Sequence, residues 1–166
     1  MKFVAVVLFV GITASVSAQT QKFGHIDLQA VVQLMPERAT AETQFNKFQS
    51  ELEEIFGEMQ KDLQTKMAEF EALGDSASEI KKNAKIAEIQ DMQQRIQNYQ
   101  QTAQQQMQQK QGELLQPVFT KAEKAIEDVA KEKGLLYVFD IGPKVILYKS
   151  NESMDILPFV KTKLGI

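Results

Sequence analysis

The only histidine of the chain, His25, stands two positions before Asp27. On a strand, side chains two residues apart point to the same face, so this pair could act as a general base or hold a metal. The sequence supplies no second histidine, no cysteine and no clustered carboxylates to complete such a site. We therefore favour a structural polar contact at the end of a strand, and we predict no catalytic residue, no metal and no cofactor.

Motifs that would mark catalysis or nucleotide binding are missing as well. The chain has no glycine-rich phosphate loop, no nucleophile elbow and no HExxH sequence. The charge balance of 19 Lys and Arg against 22 Asp and Glu, a net charge of −3, gives no reason to expect a nucleic acid partner. Any action on a partner is then passive binding.

Three lysines, Lys81, Lys82 and Lys85, cluster near the middle of the chain. They could form a patch for lipid headgroups or acidic partners. Alternatively, they are the solvated start of a helix, with Asp75 and Glu79 nearby to offset their charge. We favour the second interpretation, so membrane contact is expected to be peripheral at most.

The first 18 residues have the layout of a secretory signal peptide: a basic start at Lys2, an apolar run from Phe3 to Ile12, and small residues at Val16-Ser17-Ala18. We predict cleavage after Ala18 and export. A membrane anchor is the alternative, but this run is too short, since a spanning helix needs about 20 apolar residues. Without cysteine near the cleavage site, a lipoprotein anchor is not expected.

Residues 37–116 are predicted to form a long antiparallel coiled-coil hairpin. Apolar residues recur three or four positions apart along both halves, which is typical of a helical seam. Gly74 should end the first helix, with the turn at 74–76, and Ser76 to Glu79 resembles a capping box for the second. Glutamine occupies 13 of the 27 positions from 90 to 116; the unbroken apolar stripe favours a helix there over disorder. Pro117 should mark a kink or a restart.

The flanking segments, 19–36 and 117–166, are predicted to form a small base. Strands are expected at Lys22–Asp27, Leu135–Asp140 and Val145–Lys149, the last two joined by a turn at 141–144. Short helices are expected at 28–35 and 155–164, and a longer one carries the apolar stripe of residues 118–130, ending at Gly134. So small a base, without disulfides and with open strand edges, should self-associate. The fold class is thus mostly α with a small β part.

The first half of the hairpin has more large apolar residues than one narrow seam can take. Ile55 and Phe56 are adjacent and cannot both face it. Either the seam absorbs nearly all of these side chains, or some face outward or into a shared cavity. Exposed apolar surface of that kind usually marks a binding site.

Taken together, the chain resembles the Skp/OmpH family of periplasmic chaperones over its whole mature length. The resemblance rests on FGHIDLQAVVQLMPE, on the glutamine-rich return helix, and on LLQPVFTKAEKAIEDVAKEKGLLYVFD followed by VILYKS. The most specific part is a proline, an alanine-rich helix, a glycine and then a YVFD strand.

This resemblance implies a periplasmic homotrimer whose strands build a small barrel and whose three hairpins surround a cavity. Such a cavity holds unfolded outer-membrane proteins, the clients, without ATP. The implied client-binding residues are Phe45, Phe48, Phe56, Met59 and Phe70. The implied oligomer interface is Phe23, Ile26, Tyr137, Val138, Phe139, Val145, Ile146 and Leu147. Unlike the basic arms of the family, residues 37–116 carry 9 Lys and Arg against 14 Asp and Glu, a net charge of −5, which does not favour lipopolysaccharide binding.

Two other function classes compete with a chaperone. A structural coiled-coil or adaptor protein of the cell envelope would keep its helices zipped, with no exposed apolar surface and no client. An enzyme has only His25 in its favour.

Overall fold

The computed structural model describes residues 22–166, so the predicted signal peptide at 1–18 lies outside the described residues. The fold is mostly helical with one small parallel sheet. In chain order the elements are β1 (Phe23–Ile26), α1 (Leu28–Leu34), α2 (Pro36–Ala72), α3 (Glu79–Lys133), β2 (Tyr137–Asp140), β3 (Met154–Asp155) and α4 (Leu157–Leu164). From residue 22 onward, no helix is long and apolar enough to cross a membrane.

The sheet has the order β2-β1-β3, with both outer strands parallel to β1. Its central strand therefore comes from the start of the described chain and its edges from the end. Gly24 leaves room for Leu135 on the central strand, because a Cβ atom there would lie 2.7 Å from Leu135 Cδ1 and the leucine side chain would have to shift. The strands predicted near residues 22–27 and 135–140 are confirmed.

The predicted third strand at Val145–Lys149 is wrong. The predicted turn at 141–144 does form, with the amide of Lys144 donating to the carbonyl oxygen of Ile141 at 3.4 Å, but it does not join two paired strands. The third strand is instead Met154–Asp155, on the far side of β1. Two parallel strands at opposite edges cannot be joined by a tight turn, so the chain between them has to cross the sheet. Residues 145–149 belong to this crossing and have no strand partner among residues 22–166.

A compact core lies under the sheet. It joins Ile26, α1, the last turns of α3 and α4, and its most buried residues include Val31, Ile156 and Val160, each with no exposed surface. The predicted stripe of α3 is confirmed, because Val118, Ala122, Ala125 and Val129 are all buried there. Small alanine side chains let α3 approach its neighbours closely. We call residues 22–35 and 117–166 the base.

Helices α2 and α3 pair along the length of α2. Ion pairs join Glu37 to Lys121, Lys66 to Glu88 and Glu69 to Lys85. Midway, the hydroxyl of Tyr99 donates a hydrogen bond of 3.0 Å to the carbonyl oxygen of Leu52. Residues further along α2 pair with residues that come earlier on α3. With 37 residues in α2, the pair extends about 55 Å at 1.5 Å per residue.

Two predicted helix boundaries need correction. The capping box at Ser76 is wrong: α3 begins at Glu79 with Ser78 as its N-cap. Gly74 does adopt a positive φ of 62°, but the chain needs residues up to Ser78 to turn. Pro117 does not restart the helix, since α3 continues through it. Proline removes one backbone donor, and the buried residues that follow hold the helix in place.

Candidate functional site

His25 is buried, with 5% of its surface exposed, and its two ring nitrogens meet different partners. Nδ1 lies 2.9 Å from Ser153 Oγ, and Nε2 lies 2.8 Å from Lys149 Nζ. Asp27 does not join it, because its carboxylate accepts the amide of Ala30 at the start of α1. The pairing of His25 with Asp27 is therefore absent, and a structural polar contact replaces it. Neither partner could be found from sequence, since both lie more than 120 positions away.

Metal binding finds no support in this part of the chain. Across residues 22–166, no group of three or more His, Cys, Asp or Glu side chains is placed to hold a metal ion.

Of the five residues predicted to bind clients, all lie on α2 and all are half-buried. Phe45 lines a cleft of about 300 Å³ with Leu114 and Leu115 of α3. Phe56 lines a shallow cavity of about 400 Å³ with Tyr99 and Met107. These aromatic rings thus lie along the groove between the two helices, partly covered and partly open.

Phe48 lies beside Lys110, whose ammonium is 5.8 Å from the ring centroid. Met59 and Phe70 continue the same half-buried row. The row follows the helical spacing read from the sequence, and its side chains are not brought together into one pocket.

As predicted, Ile55 and Phe56 do not both face the seam between the helices. Ile55 faces outward, with 43% of its surface exposed, and Phe56 is half-buried. Met67, Ile80 and Ile86 are also exposed on these helices. All four were missed as candidate contacts. The sequence marks only two of them: Ile80 stands at the start of the second helix, and Ile55 is adjacent to Phe56.

The base exposes a second apolar surface. Phe23, Tyr137 and Phe139 stack on one face of the sheet with ring centroids 6.1–6.3 Å apart. Nearby, Val145 and Leu147 are exposed, and Ile146 is half-buried. We call these six residues the base apolar surface. Tyr148, also exposed, was missed.

Two residues predicted for the oligomer interface lie elsewhere. Ile26 belongs to the core of the single chain, with 2% of its surface exposed, and Val138 packs against that core. Strand alternation explains this, since both lie on the sheet face opposite the stacked aromatic rings.

The lysine cluster is largely neutralised within the chain. Lys85 Nζ lies 2.7 Å from Glu69 and 3.2 Å from Glu88. The hydrogen bond to Glu69, and then the one to Glu88, raise the pKa of the Lys85 ammonium. Lys82 donates to the carbonyl of Asp75 and pairs with Glu79. Only Lys81 of the three is left without such a partner among residues 22–166. The structure therefore favours a solvated helix start over a lipid-binding patch.

Comparison with known proteins places this architecture. The profile of the OmpH-like outer membrane protein family matches residues 22–164. The chain belongs to this family. Among solved structures, an OmpH-like candidate outer membrane chaperone from Caulobacter crescentus CB15 is similar, with a TM-score of 0.72 and 13% identity over 87% of this chain and 84% of that chain. At that identity the likeness shows the fold. No curated protein matches the chain.

Membership of the OmpH-like family agrees with the chaperone class at the level of the family. The geometry agrees as well, because this OmpH-like chain presents half-buried and exposed apolar residues spread over long helices and no assembled catalytic group among its described residues.

Proposed function

We propose that this OmpH-like protein is an ATP-independent periplasmic holdase that binds unfolded outer-membrane proteins. In this proposal the signal peptide is removed after Ala18, and three copies associate through a barrel formed by their bases. Each α2–α3 pair is then an antiparallel hairpin arm, and the three arms surround the client. Binding requires no catalysis.

One observation carries the proposal: the paired helices expose large apolar side chains that their own seam leaves uncovered. Ile80 has 82% of its surface exposed, Met67 45% and Ile55 43%. Burying apolar surface is worth roughly 25 cal/mol per Å², so each such residue gives a weak contact. Many weak contacts suit an unfolded chain, which offers no fixed shape to recognise.

The half-buried aromatic row supports the same use. Phe45, Phe48 and Phe56 lie where the groove between the helices is open, and the arm net charge of −5 keeps these helices soluble between contacts. A client segment could lie along the groove and cover the rings without opening the seam.

Assembly through the base is supported by the base apolar surface. A row of stacked aromatic rings beside an apolar segment that pairs with no strand among residues 22–166 is costly to leave in water. Association of copies covers it, and a holdase cavity needs more than one arm.

The competing interpretation is a structural coiled-coil or adaptor protein. It requires helices zipped closed with no exposed apolar surface. The exposed isoleucines favour the holdase over this alternative.

The test is suppression of aggregation. A denatured outer-membrane barrel protein is diluted into buffer with the purified mature protein, and light scattering is followed. We expect suppression near one trimer per client, and reduced suppression when Ile55, Met67, Ile80 and Ile86 are all changed to Ser. The matched control changes four exposed glutamines, Gln60, Gln64, Gln93 and Gln97, to Ser.

Failure of the unmodified protein to suppress aggregation would contradict the proposal. Equal loss in the glutamine control would show that the effect is not due to apolar contacts. Molar mass by light scattering separately tests the trimer, since a monomer or dimer at micromolar concentration would remove the cavity.

A further inference from the structure

The chain between β2 and β3, residues 141–153, crosses the face of the sheet, and we call it the strap. We propose that His25 is a pH-sensitive latch that holds the strap over the sheet through Lys149 and releases it when the imidazole is protonated. The consequence for assembly rests on the proposed function, because the strap carries Val145 and Leu147 of the base apolar surface.

The strap encloses space rather than packing tightly on the sheet. A cavity of about 640 Å³ lies beneath it, lined by His25, Phe23 and Phe139 from the strands and by Ile146 and Tyr148 from the strap. Leu147 points away, with 98% of its surface exposed. The middle of the strap therefore has little apolar packing to hold it down.

Hydrogen bonds hold both ends of the strap but not its middle. At one end the amide of Ile141 donates to the carbonyl oxygen of Ile26 on β1 at 2.9 Å, and at the other Ser153 Oγ lies 2.9 Å from His25 Nδ1. Within residues 22–166, the backbone of 145–149 makes no hydrogen bond. The contact between Lys149 Nζ and His25 Nε2, at 2.8 Å, is thus the polar tether of the middle.

This tether fixes where the imidazole proton is. An ammonium group has donors and no acceptor, so Nε2 has to offer its lone pair to Lys149. The ring is then neutral, with its proton on Nδ1, and it donates to Ser153 Oγ at 2.9 Å. Both strap partners of His25 are satisfied only in this one protonation state.

Adding a proton at Nε2 removes the acceptor and places two cations 2.8 Å apart. Histidine is the side chain whose charge ordinarily changes between about pH 5 and 8. The released strap accommodates the extra proton better than the closed one, so closure is favoured as pH rises and release as pH falls.

The other charged groups around His25 do not offset this repulsion. Asp155, in register with His25 on β3, accepts the amide of Leu157, and Asp27 accepts that of Ala30. Asp140 accepts two backbone amides at the end of β2. The cavity itself is lined by Lys22, which adds positive charge, and by Glu152, which is exposed and screened by solvent.

Two features of the composition make the test clean. His25 is the only histidine, so one imidazole signal in a proton NMR spectrum reports its titration, and the chain has no tryptophan. Ile146→Trp therefore places a single fluorophore on the inner side of the strap. We expect its emission to shift to the red between about pH 8 and pH 5 as the strap opens.

Variants separate the latch from general acid effects. Lys149→Gln removes the cation and the tether together, so in the Ile146→Trp background the emission should be shifted to the red already at about pH 8. Lys144→Gln makes the same charge change on the same strap, away from His25, and should leave the emission and its pH dependence unchanged. His25→Gln in the Ile146→Trp background should abolish the emission shift.

Unshifted emission at about pH 8 in Lys149→Gln, or a pH-dependent emission shift that persists in His25→Gln, would overturn the latch. If His25→Gln does not fold, the emission of the two lysine variants decides the matter. Aggregation suppression at pH 7.5 is measured on the same samples. If the latch predictions fail while suppression is intact, only the latch is contradicted. If suppression fails while the latch predictions hold, only the holdase is contradicted.

Discussion

The base and the paired helices of this protein are stabilised in different ways. The base buries ten side chains drawn from both ends of the described chain. The paired helices, residues 36–116, bury Ala41, Leu52 and Met92 and otherwise rely on half-buried seam residues and exposed ion pairs. A firm base with a thinly packed extension can hold its shape while the extension adapts to what it contacts.

The apolar surface of the two regions differs in the same sense. In the base it is contiguous, with three aromatic rings stacked together. On the helices it is dispersed, with Ile55 and Ile80 far apart in the sequence and each exposed singly. A contiguous surface suits one fixed partner such as another copy, while a dispersed surface suits a partner with no fixed shape.

The largest effect is expected from truncating the core of the base. Ile156→Ala removes a side chain with no exposed surface, which should lower the free energy of unfolding by about 2–5 kcal/mol. Ile55→Ala on the helices should change it by less than about 0.5 kcal/mol. Urea unfolding at one fixed chain concentration, followed by circular dichroism, measures both. Similar losses would contradict the contrast between the regions.

Glycine-to-alanine changes should have opposite signs in the two regions. In the base, Gly24→Ala forces Leu135 to shift from a 2.7 Å contact and should cost about 1–3 kcal/mol. In α2, a Cβ atom at Gly57 meets nothing within 4 Å, so Gly57→Ala should stabilise the helix by about 0.5–1 kcal/mol. Thermal melts of the two variants read the signs directly. Destabilisation by Gly57→Ala would indicate that the helix needs to bend at Gly57.

A smaller effect is expected from the hydrogen bond that crosses between the helices. Tyr99→Phe removes its hydroxyl bond to Leu52 and should cost about 0.5–1.5 kcal/mol, whereas Tyr148→Phe, at an exposed site, should be neutral. Burial raises the pKa of the Tyr99 hydroxyl. A raised folded-state pKa gives stability that is present below about pH 10 and lost as pH rises through that higher value. Melts at alkaline pH should show this loss in the unmodified protein and not in Tyr99→Phe.

The smallest effect concerns the ion pairs between the helices. Hydrogen bonds from Lys66, and then from Lys85, lower the pKa of Glu88. A lowered folded-state pKa gives stability that is present above about pH 4.3 and lost as pH falls through the lower value. Glu88→Gln should therefore reduce the acid sensitivity of the helices, and about 1 M salt should mimic it.

The matched control is Glu58→Gln, at a residue that forms no salt bridge among residues 22–166. Helicity followed by circular dichroism from about pH 7 to pH 3 makes the comparison. Equal acid sensitivity in both variants would show that Glu88 does not contribute to the acid sensitivity of the helices.

How much the sequence could predict also differs between the regions. Helical spacing located α2, α3 and the stripe from Val118 to Val129, because each depends on residues three or four apart. Strand pairing was not predictable in the same way: residues 145–149 are an apolar run typical of a strand, yet the segment that pairs with β1 is Met154–Asp155. Which edge of the sheet a segment reaches depends on how the chain crosses the sheet. A strand of only two residues, such as β3, is also too short to be recognised from local sequence.

The same limit applies to the candidate sites. Spacing identified the row of Phe45, Phe48 and Phe56 along the groove. It could not find Lys149 and Ser153 beside His25, since contacts across more than 120 positions follow from the tertiary fold. Nor could it assign Ile55 rather than Phe56 to the outside, because that depends on how α3 is rotated against α2.

The central claim is that the helices, and not the outside of the base, meet an unfolded client. Because the chain has no cysteine, Ile55→Cys and Glu123→Cys each provide one exposed site that can be labelled with a photo-crosslinker. Position 55 lies on α2 outside the base, and position 123 lies on the part of α3 that belongs to the base. Each labelled protein is mixed with a denatured outer-membrane barrel protein and irradiated. We predict crosslinks to the client from position 55 and few from position 123. Equal yields from both, or none from position 55, would contradict the claim.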